Sequence, residues 1–338
     1  MPDAPQRVAI LTDAWHPQVS GVVTALGKMV DGLREQGKEV LVVHPGQFPG
    51  LPCPTYPDIR LALLPGFRLR RMLEAFRPDA VHIPVEGPIG LAGRRWCLKG
   101  GHPFTTSFMT KFPEYINKRT GLPVKTLYRG YRWFHAPAAK TTVSTQSLKQ
   151  ELAHRGFRNL VYWGRGVDCD LFRPRPKDRI DFARPVSLYV GRVAVEKNLE
   201  AFLSLDLPGS KVVIGDGPAL ERLTTEYPGV HFLGRKTGED LAEHVAAADV
   251  FVFPSLTDTF GIVLIEAMAS GLPVAAYPVM GPIDVVAHGR TGWLDKDLAR
   301  AVRKCLDLSP GDCREHALGY SWQRSLEQYQ DSLVPFPA

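Results

Sequence analysis

The sequence predicts an α/β protein with two domains, each built around a parallel sheet. At 338 residues the chain exceeds the usual size of a single hydrophobic core. Short apolar runs alternate with stretches whose apolar residues recur at helical spacing, a pattern typical of strand–helix–strand units. The alternation stops at a charged, proline-rich segment, residues 173–179, and then starts again. We therefore expect two α/β halves joined by a linker at this segment.

Five apolar runs in the first half are predicted to be buried parallel strands, at residues 7–12, 39–44, 79–84, 104–108 and 140–144. The loop after the first run contains Ser20 and Gly21, and a helical pattern then extends to residue 34. Because Gly21 has no Cβ, a phosphate could approach the backbone there, although glycine is also an ordinary turn residue. The second half has corresponding runs at residues 186–190, 211–214, 230–233, 251–253 and 274–276, and a final helix is expected from residue 320.

Two carboxylates lie between the runs at 251–253 and 274–276. Asp258 is in the loop after the first of these strands, and Glu266 is eight residues later on a helix predicted to span residues 261–270. In an open parallel sheet, ligands bind at the carboxyl ends of the strands, and a helix start offers free N–H groups to an anion. This pattern suits a ligand with both hydroxyl and phosphate groups, such as a nucleotide sugar.

Composition and motifs argue against several other classes of protein. The sequence has neither a Gly-x-Gly-x-x-Gly motif nor a Gly-Lys-Ser/Thr motif, which disfavours dinucleotide oxidoreduction and P-loop chemistry. Its five cysteines form no Cys-x-x-Cys pair and are odd in number, so we expect reduced, structural thiols rather than a zinc site or disulfides. No apolar run approaches the roughly 18 residues that span a bilayer, and the first residues have no signal-peptide core. We therefore expect a cytoplasmic protein.

The net charge of +6 is unevenly distributed along the chain. Residues 1–165 contain 23 Lys and Arg against 11 Asp and Glu, a net charge of +12, whereas the remainder has 18 against 24, a net charge of −6. Residues 94–99 and 125–134 mix cations with aromatic side chains, and a predicted helix at 67–77 is basic and amphipathic. These features favour an anionic membrane surface as a partner, although each alone also fits an ordinary solvated surface. Since no RNA- or DNA-binding motif accompanies them, nucleic acid is not expected as a partner.

Arg192 and Lys197 are the candidate groups for stabilising a diphosphate leaving group. They lie five residues apart in the loop between a predicted strand and a helix. No Asp-x-Asp motif stands where a divalent metal would bridge a carboxylate and the diphosphate. We therefore expect the two fixed cations to act in place of a metal, with no further cofactor. Taken alone, the two residues would fit ordinary surface cations better than a diphosphate site.

Short motifs spread over nearly the whole chain resemble the family-four retaining glycosyltransferases of the GT-B fold. In the second half they are Gly191-Arg192 with Glu196-Lys197-Asn198, Gly215-Asp-Gly-Pro218, Phe232-Leu-Gly-Arg235, and Phe260-Gly261 followed by Glu266. In the first half they lie at residues 12–23, 85–90, 104–115 and 165–168, and they are similar to the bacterial branch that includes diacylglycerol glycosyltransferases and α-mannosyltransferase-like proteins. The resemblance implies two Rossmann-like α/β domains facing across a cleft. We expect an acceptor domain at 1–170, with residues 320–338 crossing back to it, and a nucleotide-sugar domain at 171–319.

The resemblance also implies roles for individual residues. Arg192 and Lys197 would bind the donor diphosphate, Asp258 the sugar hydroxyls, and Glu266 the ribose hydroxyls. Further donor contacts would come from backbone groups of Phe260, Gly261 and Ile262, from Arg235 near the base, and from Gly21 of the first domain. Catalysis is expected to depend on Arg192, Lys197 and Asp258, with no protein nucleophile.

Two positions depart from the pattern of this family. Asp258 stands where Glu is usual, which shortens the side chain by one methylene and keeps the charge. Met109 stands where the family commonly places a His that reaches the donor sugar, and a thioether is only a weak acceptor. We therefore expect altered recognition of the far end of the donor sugar or a reduced rate, unless Met109 simply fills space.

These features predict a metal-independent, retaining enzyme that moves a hexose or uronic acid from a UDP- or GDP-sugar to a membrane lipid such as diacylglycerol. Such an enzyme would be peripheral on the inner face of the cell membrane. Two alternatives stay open. One is the same donor chemistry on a soluble or polysaccharide acceptor, and the other is a nucleotide-sugar-binding protein without activity.

Overall fold

The computed structural model describes residues 5–18, 20–53 and 56–337, with the side chains of all of these except 56–59. The chain forms two compact units, Met1–Gly164 with Gln323–Ala338, and Arg165–Trp322. The first unit therefore contains both the beginning and the end of the chain. Each unit is an α/β structure with a parallel sheet, so the predicted fold class is confirmed.

The first unit contains a six-stranded parallel sheet and a separate hairpin. Its strands are β1 (Arg7–Leu11), β2 (Glu39–Val43), β3 (Gly50–Cys53), β4 (Tyr56–Ala62), β5 (Ala80–Ile83), β6 (Thr105–Phe108), β7 (Lys140–Val143) and β8 (Leu160–Tyr162). The parallel sheet has the order β2-β1-β5-β6-β7-β8. The strands β3 and β4 pair antiparallel with each other, an element that the sequence analysis did not predict.

Seven helices belong to the described part of this unit: α1 (Gly21–Glu35), α2 (Gly66–Phe76), α3 (Pro88–Gly100), α4 (Phe112–Thr120), α5 (Val124–His135), α6 (Gln146–His154) and, from the end of the chain, α14 (Trp322–Ser332). The last of these is anchored to the strand β8 region, because the Trp163 indole donates to Ser325 Oγ (3.0 Å) and the Gly164 N–H donates to Gln328 (2.8 Å). The expected final helix is therefore present.

Two neighbouring strands of the first sheet, β6 and β7, carry polar side chains that are buried, except for the partly exposed Lys140. β6 and β7 satisfy their hydroxyl groups across the sheet, with Thr106 Oγ1 2.9 Å from Thr141 Oγ1 and Ser107 Oγ 2.6 Å from Thr142 Oγ1. The imidazole of His82 extends this network to Ser107 at 2.9 Å. Buried polar groups that find partners cost little, so the network is compatible with a core position.

The second unit has a six-stranded parallel sheet in the doubly wound order. Its strands are β9 (Val186–Val190), β10 (Ser210–Ile214), β11 (His231–Phe232), β12 (Val250–Phe253), β13 (Val274–Ala276) and β14 (Gly292–Leu294), arranged β11-β10-β9-β12-β13-β14. Its helices are α7 (Glu200–Leu203), α8 (Leu220–Glu226), α9 (Gly238–Ala247), α10 (Ile262–Ala269), α11 (Pro282–Val285), α12 (Leu298–Cys305) and α13 (Pro310–Ala317). β9 and β12 are buried along their whole length, as expected for strands covered on both faces.

The segment at residues 173–179, which the sequence analysis interprets as a linker, is part of the second unit. Arg175 forms an ion pair with Glu239 (2.9 Å), and Arg179 forms one with Asp240 (2.6 Å). Both carboxylates lie on α9, so the charges of this segment attach it to that helix. In the part of the chain that the structure describes, no helix is long and apolar enough to cross a membrane.

Candidate functional site

The candidate site lies where the strand order of the second sheet reverses. β9 and β12 are neighbours, and the chain proceeds outward from them in opposite directions. The loop after β9 carries Arg192 and Lys197, and the loop after β12 carries Asp258. In doubly wound sheets the crevice at such a switch point, at the carboxyl ends of the strands, is where ligands bind. The structure thus brings the three predicted catalytic residues to one edge of one sheet.

The loop after β9 is shaped by hydrogen bonds to its own backbone. The Tyr189 hydroxyl donates to the Arg192 carbonyl (2.9 Å), and the Val193 N–H donates to the Asp216 carbonyl (2.9 Å). A single turn of 3₁₀-helix, Val195–Lys197, follows and ends at Asn198, which has a positive φ of 56°. These contacts hold the loop after β9 against the loop after β10.

Lys197 connects the two loops of the site. Its ammonium lies 2.5 Å from Asp258 Oδ1, with both side chains mostly buried. The neighbouring Asn198 amide donates to the Pro254 carbonyl at 3.0 Å. The loop after β9 is thereby bound to the loop after β12 at two adjacent residues. Sequence reasoning placed Lys197 on the diphosphate and Asp258 on the sugar, and it did not foresee that the two side chains pair.

Three polar atoms of the loop after β12 are buried without a hydrogen-bond partner among the described residues: Asp258 Oδ2, Ser255 Oγ and Thr257 Oγ1. A buried polar group without a partner costs free energy, and such groups in native proteins are commonly completed by water or ligand. Asp258 Oδ2 is thus available to accept a hydrogen bond from a bound hydroxyl. Ser255 and Thr257 were missed from sequence; the only signal would have been hydroxyl residues following a buried strand.

The helix α10 begins beside these residues. Gly261 caps it with a positive φ of 83° and contributes no side-chain hydrogen bond, while Phe260 and Ile262 are buried on either side. The first N–H groups of the helix are therefore left without a side-chain cap, and they carry the positive end of the helix dipole. An anionic group is favoured at this position.

Glu266 lies in the second turn of α10. Burial raises the pKa of its carboxyl group from 4.5 to about 7. No hydrogen bond or ion pair to this carboxyl group is found in the described ranges. The residue is half-buried, so its carboxyl group can accept hydrogen bonds from the hydroxyl groups of a ligand.

Arg235 lies further along the same edge of the sheet. It follows β11, and its side chain is exposed. The preceding Gly234 accepts a hydrogen bond from the Gly215 N–H (2.9 Å). A Cβ at Gly215 would overlap the Gly191 carbonyl oxygen, so the loops after β9, β10 and β11 pack closely because Gly215 has no side chain.

The first unit holds the two remaining predicted positions. Gly21 is the first residue of α1, after the cap residue Ser20, whose Oγ accepts from the Val23 N–H at 3.3 Å. Met109 directly follows β6 and is buried, with 8% of its surface exposed. Residue 19, part of the motif at 12–23, lies outside the described residues.

Asp13 is a further residue of this unit that sequence reasoning did not single out. It follows β1 at the switch point of the first sheet, and its carboxylate accepts hydrogen bonds from the N–H groups of Ile89 and Gly90, both at 3.0 Å. Burial raises the pKa of Asp13 to about 6. The Asp13 carboxylate caps the start of α3, although Ile89 lies 76 residues later in the chain. A Cβ at Gly87 would overlap the Asp13 side chain. The motifs at 12–23 and 85–90 are thus joined structurally.

Two family models together match most of the chain. The model described as Glycosyltransferase Family 4 matches residues 19–171, and that described as Glycosyl transferases group 1 matches residues 184–308. A GDP-mannose-dependent alpha-mannosyltransferase of Mycobacterium tuberculosis is 32% identical over 316 residues, which cover 85% of this chain and 83% of that protein. The sulfoquinovosyl transferase SQD2 of Arabidopsis thaliana is 33% identical over 362 residues, which cover 96% of this chain and 71% of that protein.

Among solved structures, Anabaena HepE in complex with UDP and glucose is similar to this chain with a TM-score of 0.72. The two sequences are 16% identical, and the match covers 96% of this chain and 98% of HepE. At this level of identity the similarity concerns the fold, and it confirms the predicted GT-B type with two Rossmann-like units.

Proposed function

Because the chain belongs to the family-four glycosyltransferases, which use nucleotide sugars, we propose that it transfers a hexose or a uronic acid from a UDP- or GDP-sugar to a membrane lipid such as diacylglycerol. The observation that carries the donor half of this proposal is the Lys197–Asp258 pair at the switch point, beside the uncapped start of α10. A cation and a helix start can bind the diphosphate of a nucleotide sugar, and a carboxylate can accept hydrogen bonds from the sugar hydroxyls.

The donor half of the proposal assigns each group a task. Arg192 and Lys197 lie near the diphosphate and stabilise the negative charge that grows as the bond to the anomeric carbon breaks. The free Oδ2 of Asp258 accepts a hydrogen bond from a sugar hydroxyl. Glu266 accepts hydrogen bonds from the ribose hydroxyls, Arg235 lies near the base, and Gly21 of the first unit approaches the diphosphate.

The transfer step itself needs no protein nucleophile. The acceptor hydroxyl oxygen bonds to the anomeric carbon on the face that the diphosphate leaves, and its proton passes to the departing diphosphate oxygen. The configuration at the anomeric carbon is therefore retained. Since Arg192 and Lys197 supply the positive charge, the step is proposed to proceed without a metal ion.

The acceptor half of the proposal is supported by the loop between β4 and α2 together with the first turns of α2. Leu64 is 95% exposed and Phe67 is 76% exposed, and Arg68 and Arg71 are exposed beside them. The Arg71 guanidinium lies 6.0 Å from the centre of the Phe67 ring. Apolar side chains flanked by arginines suit the boundary between lipid headgroups and acyl chains, where each contributes roughly 1–3 kcal/mol of binding.

The apolar stripe of α2 itself does not form this surface. Leu69 and Leu73 are fully buried, so the helix uses its apolar stripe for packing within the unit. The exposed apolar residues lie before the stripe and at its start. We propose that the end of the loop and the start of α2, referred to below as the Leu64–Phe67 tip, insert into the membrane surface and keep the enzyme peripheral on the inner face of the cell membrane.

A transfer assay tests the proposal. The purified protein is supplied with UDP- and GDP-linked hexoses and uronic acids, and with diacylglycerol in mixed vesicles, without added metal and with a chelator. We expect a glycosylated lipid by mass spectrometry, with the donor's anomeric configuration by NMR. Transfer only to water-soluble acceptors would overturn the lipid acceptor, and tight UDP or GDP binding without any transfer would overturn the enzymatic role.

A further inference from the structure

A cavity of about 410 Å³ lies in the first unit, between α5 and the connection from α6 to β8. It is lined by Arg129, Arg132, Trp133, His135, Ala136, Gly156, Phe157 and Arg158. These residues precede β7 or β8, so the cavity is at the amino-terminal edge of the first sheet. The substrates of doubly wound units bind at the opposite, carboxyl-terminal edge, which makes this cavity distinct from the proposed transfer site.

Three arginines line the cavity, whereas the buried lining residue His135 has its Nε2 3.0 Å from the carboxylate of Glu86, so the arginines outnumber this carboxylate. Arg132 is held in place by a hydrogen bond to the Arg155 carbonyl (3.0 Å). Arg129 and Arg158 are exposed, and neither forms an ion pair in the described part of the chain. The nearest acidic residue of α6, Glu151, is already paired with Lys111 (2.7 Å) and Arg155 (2.8 Å). The cavity therefore attracts an anion.

The rim of the cavity is both fixed and apolar. Trp133 is 57% exposed, and the Arg94 guanidinium stacks on its ring at 3.9 Å from the centroid. Arg94 also donates to the carbonyls of Trp133 and Phe134, each at 3.0 Å. It thereby neutralises the negative end of the α5 dipole, which would otherwise repel an anion. A Trp at the edge of a basic cavity is a residue suited to the headgroup boundary.

We propose that this cavity is a binding site for a phosphate ester, held by Arg129, Arg132 and Arg158. Guanidinium groups match phosphate oxygens with paired hydrogen bonds, and Trp133 provides an apolar edge for the glyceryl part. The phosphate can belong to a phospholipid headgroup or to a soluble ester such as sn-glycerol 3-phosphate. The proposal does not depend on glycosyl transfer, and its test measures binding alone.

The test compares the double variant R129Q/R158Q with the charge-matched double variant K99Q/K125Q. Lys99 and Lys125 are exposed on α3 and α5 and do not line the cavity, so the control loses the same charge from the same unit. Binding is measured to vesicles that contain phosphatidylglycerol, and to vesicles of equal surface charge in which oleate replaces it. Calorimetry with sn-glycerol 3-phosphate provides the soluble arm.

The wild-type protein is expected to bind the phosphatidylglycerol vesicles roughly tenfold more tightly than the oleate vesicles, to bind sn-glycerol 3-phosphate saturably, or both. R129Q/R158Q should lose that preference and that binding, whereas K99Q/K125Q should keep them. A preference for vesicles alone identifies the lipid as the source, and binding of the soluble ester alone identifies the free ester. Absence of both in the wild type, retention in R129Q/R158Q, or equal loss in the control would overturn the proposal.

Discussion

The Lys197 ammonium lies 2.5 Å from Asp258 Oδ1, although 61 residues separate the two along the chain. The contact joins the loops after β9 and β12, the two strands at which the sheet order reverses. It leaves Asp258 Oδ2 without a partner in the described structure. One carboxylate thus fixes a cation with one oxygen and offers the other to a ligand.

The first prediction concerns the substitution Lys197→Met. Removing the ammonium removes a group that is proposed to stabilise the leaving diphosphate, so we expect kcat/KM for the donor to fall roughly 100- to 1,000-fold. Both side chains of the pair are mostly buried and the substitution leaves the Asp258 carboxylate without its cation, so the free energy of unfolding should also fall, by up to about 3–5 kcal/mol. Initial rates over a range of donor concentrations and a thermal melt measure the two effects.

A control of the same residue type is Lys177→Met, in a more exposed pair whose aspartate keeps Arg184 as a partner at 2.6 Å. Lys177 also pairs with an aspartate at 2.5 Å, Asp249, which lies at the opposite end of β12 from Asp258. We expect its rate to stay close to that of the wild type. Equal losses of rate in the two variants would show that Lys197 acts only through stability.

The second prediction uses the pKa of Glu266. With a pKa of about 7, the ionised fraction rises from about a tenth at pH 6 to about nine tenths at pH 8. The ionised carboxylate is the stronger acceptor for ribose hydroxyls, so the affinity for GDP or UDP should rise roughly tenfold over this range. Calorimetric titrations at several pH values provide the measurement.

The variant Glu266→Gln separates this effect from titration of the nucleotide phosphate. The affinity of this variant for the nucleotide should change with pH only as the nucleotide's own charge does. A pH dependence of affinity equal to that of the wild type would contradict the role of Glu266.

The raised pKa of Glu266 also affects stability. A folded-state value above 4.5 means that the native state retains the proton, so its contribution is fully present at low pH. The unfolding free energy of the ligand-free protein should decrease as pH rises from about 4.5 to 7.

Local sequence pattern predicted most of the two sheets because buried parallel strands are continuous apolar runs. The runs at 7–12, 39–44 and 186–190 correspond to β1, β2 and β9 within one residue at each end. The strands β8 and β14 were not predicted, because each has only three residues and neither shows a periodic pattern of apolar residues. The hairpin β3–β4 was missed because Pro52 and Pro57 argue against strands in a sequence-based prediction.

Contacts over long sequence distances were not predictable in the same way. The position of Asp258 after a buried strand was readable from sequence, but its pairing with Lys197 depends on the order in which β9 and β12 lie in the sheet. The cap that Asp13 provides for α3 likewise depends on the adjacency of β1 and β5. Both contacts arise from the order of the strands in the sheet, and the local spacing of apolar residues does not determine that order.

The third prediction concerns Met109, which is buried at the end of β6. Met109→His introduces a hydrogen-bonding ring, so we expect the relative rates with different donor sugars to change by roughly an order of magnitude. Met109→Leu conserves the apolar volume and should leave the relative rates as they are. A panel of UDP- and GDP-sugars supplies the measurement. Unchanged ratios of rates in Met109→His would mean that the side chain only fills space.

The fourth prediction concerns the Leu64–Phe67 tip. The double variant L64S/F67S removes two strongly exposed apolar side chains, 95% and 76% exposed, without touching the core. Binding to anionic vesicles should weaken by roughly 30-fold or more, on the basis of about 1–2 kcal/mol for each side chain. The control L306S/L318S replaces two exposed leucines of the second unit with serine. Binding of this variant to anionic vesicles should equal that of the wild type. Transfer to a detergent-dispersed acceptor should be retained in both variants, and a parallel loss there would point to a folding defect.

The fifth prediction concerns the close packing of the loops that hold Arg192 and Lys197. A Cβ at Gly215 would overlap the Gly191 carbonyl oxygen, and Gly215 also has a positive φ of 152°. We therefore expect Gly215→Ala to lower the free energy of unfolding by at least about 2 kcal/mol, because a backbone group must move. The displaced loop should also weaken nucleotide binding by more than the loss of stability explains.

Gly229→Ala is the control, since a Cβ at this position meets nothing within 4 Å. This variant should keep a melting temperature and a nucleotide affinity close to those of the wild type. If Gly215→Ala lowers stability and leaves nucleotide affinity intact, the loop after β10 does not position the cations, and their placement depends on the Lys197–Asp258 contact alone.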